Sequence, residues 1–447
     1  MKLILNVRTF FNNAEKIVNI AYDSHIIEIS ESTISGDFDS VIDAKGALLI
    51  PGGIDAHVHF NDPGFQHHED FTSGTQSAAA GGITTIIDMP CTSVPAVTSA
   101  TNLQTKVAAI QSKAVVDYAF WGGISGNDID DKQISELWDN GVVGFKIYTI
   151  SGMDSFSALS YEQIGTLLHE RPQYLYAFHA EDSIVIEKNL KNKQVSVENY
   201  AEIRSVEAEY QAVKAILDFA TLKNRLHFVH ISSQKAAELI IKKKIKHSIS
   251  WETCPHYLQF TKKDFPVLRG KLKTAPPVKS EEDRTFLREQ LINGNLDFVA
   301  TDHAGCDYST EKDMTDFAKI YNGIPGTQLM LPYLISEFYN KNKISLAQLI
   351  QLTSENAAKR YGLYPQKGSL EISSDADFTI IDCNDFYIVD EKKLLCKGNY
   401  SPFHGLSFSA SILLTILRGN PVFSKQNGMI ASPGIGKLLR RKNIEPD

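Results

Sequence analysis

With 447 residues, 43% of them hydrophobic and 22% charged, the chain is long enough to bury a large core and has an ordinary globular composition. Its formal net charge of −8 excludes nucleic acid as the main partner, because phosphate binding needs clustered lysine and arginine. No stretch approaches ~18 uninterrupted apolar residues, so no membrane span is expected.

The opening MKLILNVRTFFNN has neither a long apolar run nor a small-residue cleavage site, so no secretory signal is read there. Residues 1–50 contain LILNVRTFF, KIVNIAY and HIIEIS, short alternating strands with turns between them. Eight apolar, β-rich runs follow: 54–60, 83–89, 115–121, 143–148, 174–181, 225–231, 247–254 and 296–303. Continuous Val, Ile and Phe suit parallel strands buried on both faces. The intervening segments, such as EAEYQAVKAILDFATLKN and SQKAAELIIKKK, carry apolar residues at helical spacing. Eight strands alternating with helices predict an α/β fold, a (β/α)8 TIM barrel. From about residue 366 the chain is strand-rich again, with DADFTIIDC, DFYIV and ASILLTILRGNPVF. Neither end alone supplies much core. The expected organisation is therefore a barrel over 51–365 inserted into a small β-sandwich built from 1–50 and 366–447.

The basic run KKKIK at 242–246 reads as a solvated helix end. Cys91, Cys254, Cys306, Cys383 and Cys396 are scattered and odd in number, which fits neither a disulfide framework nor a zinc knuckle; a reducing cytoplasm is the expected home. Polar stretches at 149–160 and 304–326 follow strands four and eight, on the face where barrel active sites form.

Polar residues punctuate those strand ends. A His-x-His in an extended strand turns both imidazoles to one side, as for His57 and His59 in IPGGIDAHVHF. Lys146 ends strand four, His179 strand five, His230 strand six and Asp302 strand eight. Left alone and buried, each would carry a desolvation cost of roughly 1–3 kcal/mol, which convergence on a metal removes. A protonated ammonium cannot ligate a cation, but burial beside metals depresses a lysine pKa. A neutral Lys146 can add carbon dioxide to give a carbamate whose two oxygens bridge two metals. Four histidines, that carbamate and Asp302 form a binuclear site without thiolate, which suits two zinc ions per chain. Such a site acidifies a bridging water and polarises a carbonyl, with Asp302 as the general base.

The motifs HVHF, GFKIY, HAE, HISS and ATDHA resemble the cyclic amidohydrolases of the amidohydrolase superfamily, the group of dihydroorotase, allantoinase and hydantoinase. The resemblance covers nearly the whole chain, including DADFTIID and SPFHG. It implies the barrel-plus-sandwich fold, a carboxylated lysine bridging two zinc ions, and hydrolysis of a ring amide. It carries the ligand roles onto His57, His59, Lys146, His179, His230 and Asp302, with Asp302 as base.

The ring is a separate question. Dihydroorotases follow the His-x-His-x with an arginine that clamps the substrate carboxylate, and place an asparagine after strand two. Here those positions are Asn61 and Cys91, and the Asn-Pro-Pro of that family reads Ala275-Pro276-Pro277. GVVGFKIY, WETCPHY, TDHAGC and SILLTILRG resemble allantoinase instead, whereas NGIPGTQ departs from it. An uncharged, allantoin-like ureido ring is preferred, with dihydroorotate as the alternative and carbamoyl-aspartate as its product. A non-catalytic scaffold of the same fold is the remoter reading, disfavoured because all six ligand positions are filled. Asn61, Cys91, Ser151, Thr274 and Gly326, with Ser232, are candidate substrate contacts. Arg204 and Lys279 are expected to be solvated or structural, Cys91 and Cys306 to line the pocket as packing groups, His303 to pack on the opposite face, and His67 and His68 to be solvated. A homodimer or tetramer is expected from the sandwich edges.

Overall fold

The computed structural model describes residues 1–442. Five strands open the chain: β1 (Lys2–Phe11), β2 (Ala14–Tyr22), β3 (Ile26–Ser30), β4 (Ser40–Asp43) and β5 (Leu48–Pro51). The barrel strands are β6 (Gly53–His59), β7 (Ile83–Asp88), β8 (Asp117–Phe120), β9 (Gly122–Gly123), β10 (Phe145–Tyr148), β11 (Leu175–His179), β12 (Arg225–Phe228), β13 (Ser248–Thr253), β14 (Phe298–Val299) and β15 (His303–Ala304). Six strands complete the described chain: β16 (Phe378–Asp382), β17 (Tyr387–Ile388), β18 (Ser407–Phe408), β19 (Ser411–Leu417), β20 (Asn420–Ser424) and β21 (Gly428–Met429).

All eight apolar runs contain strands, and the ladders between them are parallel. The hydrogen-bonded ring is interrupted twice, at the end of the third run and within the eighth. β8 pairs with β7 while β9, one residue on, pairs with β10. The Val143 amide donates to Phe120 O (3.0 Å) across that gap. β14 pairs with β13, and β15 with β6. Between them Asp302 adopts φ 50°, so the run at 296–303 is not the continuous strand its composition predicts. The Asp55 carboxylate spans this break, accepting from Thr301 N (3.1 Å) and Thr301 Oγ1 (2.5 Å).

Helices pack outside by the usual stripe. In Val206–Phe219 the Ser205 side chain caps the start by accepting from Ala208 N, and Ala212, Val213, Ile216 and Leu217 are buried. The KKKIK run closes helix Gln234–Lys244, where Lys244 pairs with Asp297 at 2.5 Å.

The two ends of the chain share one sheet, in the order β21-β20-β19-β16-β5-β1-β2-β3, with β4 also on β1. Its far edge curls back: Ile26 N donates to Ser374 O (2.9 Å) and Ala376 N to Ser24 O (3.0 Å), just before β16. Ile4, Val7, Ile20, Leu49, Phe378 and Ile416 fill the space enclosed. This unit is joined to the barrel by charge. The buried Lys367 ammonium donates to Asp117 of β8 (2.6 Å) and Asp377 (2.7 Å) and lies 2.8 Å from Asp375, and Arg418 also bonds Asp117. Removing one partner of a buried ion network leaves the others unpaired. Lys367→Met is therefore expected to destabilise the protein by about 3–5 kcal/mol, measured by denaturant unfolding.

Candidate metal centre

β6 delivers His57 and His59 to the carboxyl-terminal mouth of the barrel with ring centroids 5.3 Å apart. Asp302 Oδ1 lies 3.1 Å from Nε2 of each. The donor atoms of these three buried residues all fall within 4.8 Å of one another, close enough to hold one cation. His179, the last residue of β11, directs Nδ1 at His230 Nε2 (3.0 Å). The His230 ring in turn lies 5.3 Å from that of His57. His230 stands two residues beyond β12, at φ 42°. A left-handed backbone at a non-glycine residue costs about 1–2 kcal/mol, and it occurs here at both His230 and Asp302.

Lys146 lies within β10, fully buried, its Nζ without a hydrogen-bond partner and 5.0 Å from the Tyr148 ring centroid. Burial, partly opposed by Asp302, brings its pKa down to about 8. Burial and then the Lys146 charge push His230 well below the usual imidazole range, so its ring is neutral and able to ligate. Burial alone would lower His59, yet Cys91 and Asp302 raise it to about 10: the carboxylate calls for positive charge beside it. His57 Nε2 and His230 Nδ1 are buried without aligned partners. Buried imidazole nitrogens gathered around one carboxylate are a donor set that fits a divalent metal.

Behind these groups stands a support that sequence reading missed. Glu252 accepts from His57 Nδ1 (2.5 Å) and binds His227 Nε2 (3.1 Å), whose Nδ1 meets Ser250 Oγ at 2.8 Å. Burial works against ionising Glu252, but His57 and His227 hold its carboxyl down at about 2. Glu181 performs the same service for His179 Nε2 (2.9 Å) and is clamped by Arg204, whose Nε donates at 3.1 Å and whose Nη2 makes a second bond. The signal was present, since an ionisable residue inside HSISWETC or YLYAFHAE needs a buried partner.

A cavity of about 390 Å³ opens over the cluster, lined by His59, His179, His230 and Asp302 together with Cys91, Ser151, Thr274, Arg204 and Tyr321. Lys146 and His57 lie behind this lining. Cys91 Sγ is 3.2 Å from Tyr148 Oη, Ser151 Oγ donates to Phe156 O (2.7 Å), and the Thr274 carbonyl accepts from Tyr200 Oη (3.0 Å).

Several residues expected at the pocket lie outside the cavity lining. Asn61 is buried outside the lining, because β6 ends at His59 and residue 61 turns at φ 53°. The Gly326 amide donates to His303 Nδ1 (3.3 Å), so Ile320–Asn322 of that loop reach the cavity instead. Ser232 is spent on Glu209, and Cys306 packs near Tyr400 Oη (3.6 Å), away from the cavity. His303 packs on the opposite face, 3.3 Å from Glu69. His68 is not solvated: Glu311 captures it at 2.6 Å.

A parallel α/β barrel with histidines and a carboxylate gathered at its carboxyl-terminal mouth defines a metal-dependent hydrolase. The chain belongs to the amidohydrolase family, whose profile matches residues 48–422. It is 32% identical to the allantoinase of Rubrobacter xylanophilus over 98% of this chain and 97% of that one, and 34% identical to the allantoinase of Deinococcus radiodurans over 90% of each. Among solved structures it resembles the L-hydantoinase (dihydropyrimidinase) of Arthrobacter aurescens, with TM-score 0.92 and 29% identity over 98% of this chain and 99% of that one. The dihydropyrimidinase of Brevibacillus agri gives TM-score 0.90 and 28% identity over 100% of both. The chain is thus an enzyme, a hydrolase acting on carbon–nitrogen bonds of cyclic amides. Among the described residues no helix is long and apolar enough to cross a membrane.

Outer partners that orient a ligating histidine typically contribute 10–100-fold to metal affinity or activity. Glu252→Gln is therefore expected to lower metal retention of the purified enzyme by about that factor, checked by metal analysis after dialysis against a weak chelator.

Proposed function

We propose that the protein is a binuclear zinc hydrolase that opens, reversibly, the ring amide of an allantoin-like ureide. In this reading His57, His59, Lys146, His179, His230 and Asp302 would hold two zinc ions, with Lys146 in its carboxylated form. When bound, the metals supply Lewis acidity that acidifies water and polarises the scissile carbonyl. Asp302 does the proton work. Its Oδ1 faces both imidazoles, which leaves Oδ2 to take a proton from water and deliver it to the departing ring nitrogen. Burial keeps a fraction of Lys146 neutral near pH 8, the form that reacts with carbon dioxide.

The observation that carries the substrate reading is the state of Arg204. Among the described residues lining the cavity it is the one arginine or lysine, and both its hydrogen bonds go to Glu181. Lys279, also buried, donates to the Arg204 carbonyl. A cation already committed to a buried carboxylate is a poor clamp for a second one, which favours an uncharged ureido ring over dihydroorotate. The allantoinases among the relatives favour it too. The same reading treats 51–365 as the catalytic unit and 1–50 with 366–447 as one joint domain. It extends to a cytoplasmic homodimer or tetramer, a compartment that five unpaired thiols support.

Four outcomes check the chemistry. Native enzyme should hold about two zinc ions per chain, its intact mass should carry one added carbon dioxide on Lys146, and exhaustive chelation should abolish turnover. Lys146→Ala should lose activity and regain part of it with short carboxylic acids; absence of rescue would count against a carbamate bridge. A hydrolysis panel of allantoin, dihydroorotate, hydantoin and dihydrouracil, with carbamoyl-aspartate for the reverse reaction, tests the ring. Turnover of dihydroorotate alone would overturn the ureide assignment.

A further inference from the structure

Three groups of acidic, histidine or cysteine side chains have donor atoms close enough to share one cation among the described residues. One is the centre at His57, His59 and Asp302. The second, Asp117 with Asp375 and Asp377, already holds the Lys367 ammonium. The third is His67, His68 and Glu311, and there no lysine or arginine of the described residues forms an ion pair with the carboxylate.

We propose that His67, His68 and Glu311 form a separate site for a zinc-class divalent ion, which ties together the two loops at the mouth of the barrel. The geometry is set in advance. The donor atoms lie within 4.8 Å of one another, and His68 Nε2 is already 2.6 Å from Glu311 Oε1. Both sides are held by their own backbone. His68 N donates to Phe65 O (2.9 Å) and Phe65 N to Asn61 O (2.9 Å), which fixes the loop after β6. Glu311 Oε2 accepts from Asp307 N (3.0 Å) and the Glu311 carbonyl from Tyr321 N (3.0 Å), which fixes the loop after β15. The His67 and His68 rings are 4.0 Å apart between centroids, with their planes tilted at 52°. Two imidazoles and one carboxylate form a nitrogen–oxygen donor set that leaves a position for water and selects zinc-class ions over magnesium or calcium. In the ion-free arrangement His68 Nε2 and Glu311 Oε1 are joined by a proton at 2.6 Å, which an arriving ion would displace.

The consequence reaches the active site. The His68 ring sits 4.8 Å from that of Tyr321, which lines the cavity. An ion joining His67 and His68 to Glu311 would therefore stiffen one wall of the substrate cavity without touching the catalytic centre.

The test uses metal-loaded enzyme freed of excess ion by gel filtration, then titrated calorimetrically with zinc chloride. One further zinc per chain is expected beyond those of the centre. His67→Ala and Glu311→Gln should each weaken that step by more than the ~10-fold cost of losing an outer-sphere partner, while basal turnover in zinc-free buffer stays near wild type. Hydrogen exchange of the peptide covering 305–322 should slow on zinc addition in wild type and not in either variant. No further ion in wild type, or identical titrations in wild type and both variants, would overturn the site. A site that binds zinc while exchange at 305–322 is unchanged would overturn the tether.

Discussion

Asp302 Oδ1 stands 3.1 Å from two imidazole nitrogens at the bottom of a barrel mouth, and the surrounding structure is arranged to keep that carboxylate there. Nothing local favours it. The side chain is buried, and its backbone lies in the left-handed region that a non-glycine residue enters at a cost of about 1–2 kcal/mol. The opposing terms come from other strands. Asp55, two residues before His57 on the same face of β6, grips Thr301 through its amide and hydroxyl. His303, on the other side of Asp302, accepts from Gly326 and Thr327 amides at 3.3 Å each. The break in strand eight and the placement of the carboxylate are thus one constraint: the strand must bend at residue 302 to turn Asp302 inward and His303 outward.

The same logic orders the histidines. An imidazole on a strand end rotates freely about its bonds unless its second nitrogen is held, and the tautomer that exposes a lone pair must be fixed as well. Glu252 holds His57 and Glu181 holds His179, each carboxylate further secured by His227 or Arg204. Both carboxylates are fully buried, so each depends on the pairing for its charge. Arg204 illustrates how support and selectivity become linked. A guanidinium that lines the cavity could in principle read substrate charge, but its fork geometry is matched to Glu181, and breaking that match would unsettle His179.

Much of this was legible in the sequence because burial writes strongly into composition. The eight apolar runs had to be strands, and the six polar residues interrupting their ends stood out against that background. The structure brings five of them together through direct distances, with Lys146 buried beside them. What the chain could not announce was direction within loops. Asn61 is two residues past His59, so strand alternation would aim it at the site, but alternation stops when the backbone turns at φ 53°. Gly326 lies in the right loop, yet its amide is taken by His303, a partner 23 residues back. His68 looked like a solvated loop residue because Glu311 is 243 positions away. Glu252 and Glu181 are carboxylates inside apolar runs, and the groups that neutralise them lie elsewhere in the chain, His57 and His227 for one and Arg204 for the other.

The terminal sheet shows how the two ends of the chain are kept in register with the barrel. β5 leads through Gly52 straight into β6, and β5 also pairs with β16. The histidine strand is therefore continuous with the seam of the second unit. Across that seam Lys367 gathers carboxylates from both: Asp117 from the barrel, Asp375 and Asp377 from the approach to β16. Apolar packing alone would let two surfaces slide by a residue at modest cost. A single ammonium satisfied by three carboxylates does not tolerate such a slip, because each displaced oxygen would be left charged and dry. The seam fixes the base of β6, from which His57 and His59 project.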